Sequence, residues 1–130
     1  MTLSDKDRQI LIEHYRDKSH KAIKNVHFLL ENDELFLAVN QIYYGIYYML
    51  SAIAVKNHFK TSKHLQLIGW FNKTFVKGGC IDARYSKVIR HAYENRMKGD
   101  YDVFSTFTRE KVEESVEEMK EVIAKIEELL

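Results

Sequence analysis

The amino-acid sequence predicts an all-α protein: a single domain, residues 1–130, folded as an antiparallel up-and-down bundle of four to five helices. Three observations carry this. The chain contains no proline, whereas a fold built on turns and loops ordinarily uses several and a helix interior excludes it. Apolar residues recur at three- and four-residue spacings along five segments, the period of a helix face. The segments are joined by short polar connections, which return successive helices alongside one another. A chain of 130 residues that is 45% hydrophobic has enough apolar material for one core and too much for a disordered segment.

The first helix is expected from about Asp5 to Leu30, with Ser4 as N-cap and Asp7 three residues on. Leu11, Tyr15, Ala22, Val26 and Leu29 form its stripe. Asn32-Asp33 breaks the pattern and is placed to cap a second helix, from about Glu34 to Asn57. Leu35, Val39, Ile42, Ile46, Met49 and Ile53 line one face of it, and Phe36, Tyr43, Tyr44, Tyr47 and Tyr48 widen that face. A helix apolar on most sides lies centrally in a bundle or at an interface between copies.

Thr61 or Ser62 can cap a third helix, in which Leu65, Ile68, Phe71 and Phe75 share a face. Lys77-Gly78-Gly79 ends it, with a cation near the C-terminal dipole and glycine able to take positive φ. Asp82 can cap a fourth helix, with Tyr85, Val88 or Ile89, Ala92 and Arg96 along its stripe, ending at Gly99. The connection Asp100–Thr108 carries Tyr101, Phe104 and Phe107 and is expected to pack on the bundle. The fifth helix, from about Arg109 to Leu129, repeats Val112, Val116, Met119, Ile123, Ile126 and Leu130 at alternating four and three.

The net charge of +1 predicts no strong overall attraction to nucleic acid or membrane. Its distribution is uneven: residues 109–130 carry eight glutamates against four basic residues, which leaves about +5 on the first 108. The single cysteine, Cys80, forms no internal disulfide; it is expected to be a small buried residue in a reducing, cytoplasmic setting. The N-terminus has no signal-peptide core and no segment is long and apolar enough to span a membrane. His14, His20 and His27 are six and seven residues apart, unlike the i, i+4 pairs that grip zinc from one helix. The sequence predicts no metal site and no cofactor.

Three stretches together resemble the HEPN superfamily. The first is Ala38-Val39-Asn40-Gln41-Ile42-Tyr43-Tyr44, leading to Tyr47-Tyr48. The second is Lys63-His64, followed by Phe71-Asn72-Lys73-Thr74-Phe75-Val76-Lys77-Gly78-Gly79. The third is Asn95-Arg96-Met97-Lys98-Gly99-Asp100-Tyr101, ahead of a long amphipathic helix. The resemblance covers about residues 10–130. It implies a helical bundle, a homodimer, and a gene commonly encoded beside a minimal nucleotidyltransferase in a toxin–antitoxin-type module. Some such proteins are metal-independent ribonucleases; others are thought to bind nucleotides or to act as inactive partners.

In the ribonuclease members an Arg is followed after four to six residues by a His. Arg stabilises charge developing on phosphate, and His exchanges protons near neutral pH. This chain has Arg96 but no histidine after it; Asp100 and Tyr101 stand there instead. Aspartate is ordinarily ionised at neutral pH, so Asp100 is either a base or a partner that fixes the Arg96 guanidinium. Arg84 with His91, and Arg8 with His14, match the spacing alone and are read as solvated helix residues.

Asn40, Tyr43 and Tyr44 either pack in the core with satisfied polar tips or line a cleft with Arg96. His64 either caps the third helix or lines that cleft. By the resemblance, Tyr101 stands where some members carry a tyrosine adenylylated by the partner enzyme. The sequence reading is thus a dimeric nucleotide- or RNA-binding partner of a nucleotidyltransferase. The alternatives are a ribonuclease toxin and a helical adaptor without a ligand site.

Overall fold

The computed structural model describes residues 3–130. Five helices follow one another: α1 (Asp5–Glu31), α2 (Leu35–Lys56), α3 (His64–Phe71), α4 (Ala83–Tyr101) and α5 (Arg109–Glu127). A single wider π turn, Asn72–Val76, extends α3. The all-helical bundle is as the sequence predicts, and three of its caps are the expected kind. The Ser4 side chain accepts from Asp7 N (3.1 Å), Asp82 from Arg84 N (2.9 Å) and Thr108 from Lys111 N (3.2 Å). Each satisfies a backbone donor that a helix start leaves unpaired.

Helix α2 is the axis of the molecule: α1, α3, α4 and α5 all pack on it. Most of its apolar girth is thereby covered within one chain; Phe36 and Leu37, at its start, remain about half exposed. Ile46, Met49, Leu50 and Ala52 are fully buried there, and Met119 and Ile123 of α5 face them from the expected seam. Gly45 marks the closest approach. The buried Ser19 hydroxyl donates to its carbonyl oxygen (2.7 Å). A Cβ on Gly45 would run into Met119 Cε and stand 3.2 Å from Ala22 Cβ. A side chain here would make the Met119 side chain shift and would press on Ala22, where α1, α2 and α5 converge.

Several local expectations need correction. Asn32-Asp33 does not cap α2: Asp33 takes a left-handed backbone (φ +57°), and its carboxylate meets the Arg109 guanidinium at 2.6 Å. Neither Thr61 nor Ser62 is the N-cap of α3; Lys63 holds that position, and Thr61 Oγ1 accepts from its backbone N–H (3.1 Å). On α3 Ile68 and Phe71 are buried as expected, but Leu67 joins them in place of Leu65, which is exposed. Helix α4 runs past Gly99 to Tyr101. Of the aromatic residues beyond it, Phe107 packs edge-on against Phe36 (5.2 Å), while Phe104 is 89% exposed. Cys80 is exposed. It lies in the turn after Gly79 (φ +85°), outside every helix, where no neighbouring element covers it.

No helix among the described residues is long and apolar enough to cross a membrane.

Candidate functional site

Arg96 and His64, 32 positions apart, are brought to one cluster of tyrosines on α2. Residues 40, 43, 44 and 47 follow each other at helical spacing, so Asn40, Tyr43, Tyr44 and Tyr47 share a sector of α2. α4 crosses this sector and delivers Arg96, with Tyr93 one turn earlier. The connection after α2 turns back through His58, in a left-handed conformation (φ +59°). It then starts α3 at His64, directly over the tyrosines.

The Arg96 guanidinium lies 5.7 Å from the Tyr43 ring centroid and 5.4 Å from that of Tyr44. A cation over ring faces in a partly desolvated place gains about 0.5–2 kcal/mol. The Arg96 side chain is only 18% exposed. Its Nε lies 3.0 Å from Asp100 Oδ2, one turn on along α4, yet the N–H is not aligned as a hydrogen bond. Nη1 has only the weak acceptor Met97 Sδ, at 3.9 Å. Asp100 thus steers the guanidinium without consuming it, and donors at the two terminal nitrogens stay available to an anion.

His64 Nδ1 and the Tyr43 hydroxyl share a hydrogen bond of 2.5 Å. The His64 ring also stacks on Tyr47, with centroids 4.2 Å apart and planes 7° from parallel. Tyr44 and Tyr93 stand edge-on to the pair, Tyr44 at 6.2 Å from His64 and Tyr93 at 5.6 Å from Tyr43. With Nδ1 engaged by Tyr43, only Nε2 of His64 remains to meet a ligand. Burial, with a contribution from Tyr47, pushes the Tyr43 phenol well above the ordinary tyrosine value, against the pull of Arg96. Burial, and secondarily the Arg96 charge, lowers the His64 pKa.

A lowered histidine pKa fixes the sign of its pH dependence. The unfolded chain takes up a proton at this residue before the folded protein does. Its contribution to stability is complete above the ordinary value of about 6.5 and declines as pH falls below it. In an NMR titration of the six histidines, His64 is expected to titrate below 6.5. Arg96→Gln should move its midpoint upward, because a positive neighbour is removed.

The other sequence candidates fall elsewhere. Asn40 is half-buried on the tyrosine sector of α2 and makes no side-chain hydrogen bond among the described residues. Tyr101, the last residue of α4, is 71% exposed and does not join the cluster. Arg84 spends its guanidinium on the Tyr85 hydroxyl (2.6 Å) and, more loosely, on Glu121 (3.8 Å). His91 borders a small depression between α2, α4 and α5. Arg8 donates to the Val55 carbonyl oxygen (2.8 Å), and His14 packs edge-on against Tyr15. Tyr47 and Tyr93 are cluster members that sequence reasoning missed as site residues. The available signal was their spacing, four from Tyr43 and three from Arg96. Among the described residues, no three His, Cys, Asp or Glu side chains gather closely enough to hold a metal ion.

The HEPN domain family matches residues 12–129. A protein of Thermotoga maritima named "UPF0332 protein" is 30% identical, with 95% of this chain and 94% of that one aligned. Two proteins of Methanocaldococcus jannaschii are also similar. "Putative toxin MJ0142" is 26% identical over 78% of this chain and 69% of its own length. "Putative toxin MJ0605" is 27% identical over 98% and 95%.

Proposed function

The chain belongs to the HEPN domain family, and from that premise we propose that it binds the phosphate of a nucleotide or RNA through Arg96. It does so as the dimeric partner of a minimal nucleotidyltransferase in a toxin–antitoxin-type module. The observation that supports this best is the state of Arg96. Its guanidinium is mostly buried, fixed over two tyrosine faces and beside Asp100, and still has donors unspent. A desolvated guanidinium with open terminal nitrogens is matched by a phosphate, which accepts from both at once. Tyr44 and Tyr47 offer ring surface to a base beside it. The similarity to proteins named as toxins fits a module of this kind.

Titration of the purified protein with 5′-AMP and with a short oligoadenylate tests the binding. Saturable binding that weakens with salt supports it, and no binding at millimolar ligand refutes it. Co-expression with the neighbouring gene product tests the partnership. For dimerisation, the exposed Phe36 and Leu37 at the start of α2 offer apolar area to a second copy. Sedimentation as a dimer that Phe36→Glu converts to monomer is expected; a wild-type monomer at micromolar concentration would contradict it.

A second reading, metal-independent RNA cleavage, is favoured by one observation: a histidine reaches the Arg96 cluster from α3 although none follows Arg96 along α4. In the tautomer with Nδ1 donating to Tyr43, Nε2 can take the 2′-hydroxyl proton. The 2′-oxygen then attacks phosphorus and the 5′-oxygen leaves with a proton from water, giving a 2′,3′-cyclic phosphate. RNA incubated with the protein and EDTA should then yield cyclic ends, and His64→Ala should prevent this. Intact RNA excludes the reading and leaves binding in place.

A further inference from the structure

We infer that the groove between the start of α1, the second half of α2 and the connection into α3 is a second nucleotide subsite. The ligand is then a single-stranded RNA of two or more nucleotides, not a mononucleotide. This rests on the reading of Arg96 as a phosphate anchor.

The groove encloses about 690 Å3, within the range of ligand pockets. It shares one residue, Tyr47, with the cluster that surrounds the anchor. The Tyr47 ring stacks on His64; His64 in turn bonds to Tyr43, under Arg96. Its walls also carry Tyr15 and Phe59, and Phe59 is stacked on Trp70 at 4.7 Å with planes 6° apart, which holds its orientation.

The charge lining the groove is of one sign. Arg8 and Lys60 border it, and no aspartate or glutamate does, in a chain with nineteen acidic residues. Arg8 is held by its bond to Val55 O at the end of α2, and its Nε is buried without a hydrogen-bond partner. The depression between α1 and α5 is mainly acidic instead, with Glu31, Glu110, Glu113, Glu114 and Glu117 around a single Arg109. Aromatic faces interleaved with cations are the chemistry of single-stranded nucleic acid: unpaired bases stack and the cations track the backbone.

The test compares 5′-AMP with a fluorescein-labelled tetra-adenylate on the whole protein, using wild type, Tyr15→Ala and Lys60→Glu. Wild type should bind the tetranucleotide at least about tenfold more tightly than AMP, and each variant should remove most of that advantage. Lys60 is exposed, so Lys60→Glu keeps the test decisive even if Tyr15→Ala melts early. Tetranucleotide affinity equal to that of AMP, or unchanged in Lys60→Glu, overturns the subsite and leaves the anchor standing. With Arg96→Ala measured alongside, binding of both ligands that is indifferent to that change overturns the anchor instead.

Discussion

Arg96→Ala is expected to weaken AMP and RNA binding by about 10- to 150-fold. Hydrogen bonds to a charged group contribute about 1.5–3 kcal/mol, and each 1.4 kcal/mol is tenfold in affinity. The guanidinium offers two open nitrogens from a place where water competes poorly. Arg96→Lys should recover only part of the loss, since an ammonium supplies the charge without the planar fork. Folding should weaken only moderately, by roughly 0.5–2 kcal/mol for the lost contacts with the Tyr43 and Tyr44 rings. The ion pair with Asp100, whose side chain is about a third exposed, contributes no more than about 1 kcal/mol. Isothermal titration with a parallel thermal melt separates the two effects. A melting temperature that collapses with the affinity would assign Arg96 a structural role.

Phe71→Ala is expected to act in the reverse order, on stability first and binding second. Phe71 ends α3, is fully buried and packs on Phe75 with ring centroids 5.3 Å apart. Truncating a buried phenylalanine costs about 3–5 kcal/mol, a large part of the roughly 5–15 kcal/mol that holds a domain folded. The melting temperature should fall by roughly 10–20 °C. Phe71 belongs to the core on which α3 is seated, and α3 holds His64 over Tyr43. The His64 titration should therefore drift back toward the ordinary histidine value below the melt. Leu65→Ala, on the exposed face of the same helix, should change stability by less than about 0.5 kcal/mol.

The helices that bury a long stripe were readable in the sequence. On α2 and α5 the repeat of three and four persists for five turns or more, so Ile46, Ile53, Met119 and Ile123 could be placed in the core without coordinates. Helix α3 is too short for that. With two turns of regular helix and a π turn after it, its period does not distinguish Leu65 from Leu67. The cap misread at Asp33 has another cause: it is a good cap by type but is drawn to Arg109, 76 positions away, and local patterning carries no trace of such a partner. Thr61 stays local, accepting from Lys63 N and donating to Gln66, with Lys63 as the N-cap.

The candidate site divides the same way. The pairing of Arg96 with Asp100 was readable because it is one helical turn. So was the shared sector of Tyr43 and Tyr44. The bond between Tyr43 and His64 depends on how the connection after α2 turns back, with His58 at positive φ. That is a tertiary fact, and it places a histidine beside Arg96 that no spacing rule along α4 would find. Tyr101 was singled out by its place after Arg96, but the end of α4 carries it outward into solvent.

The most direct measurement follows the arginine Nε–H and histidine ring resonances by NMR as oligoadenylate is added. The Arg96 Nε–H and the His64 ring should shift together and saturate with one dissociation constant, while Arg84 and His91 stay in place. Shifts confined to Arg84, His91 or Arg109, or none at all at saturating RNA, would contradict a phosphate anchor at Arg96.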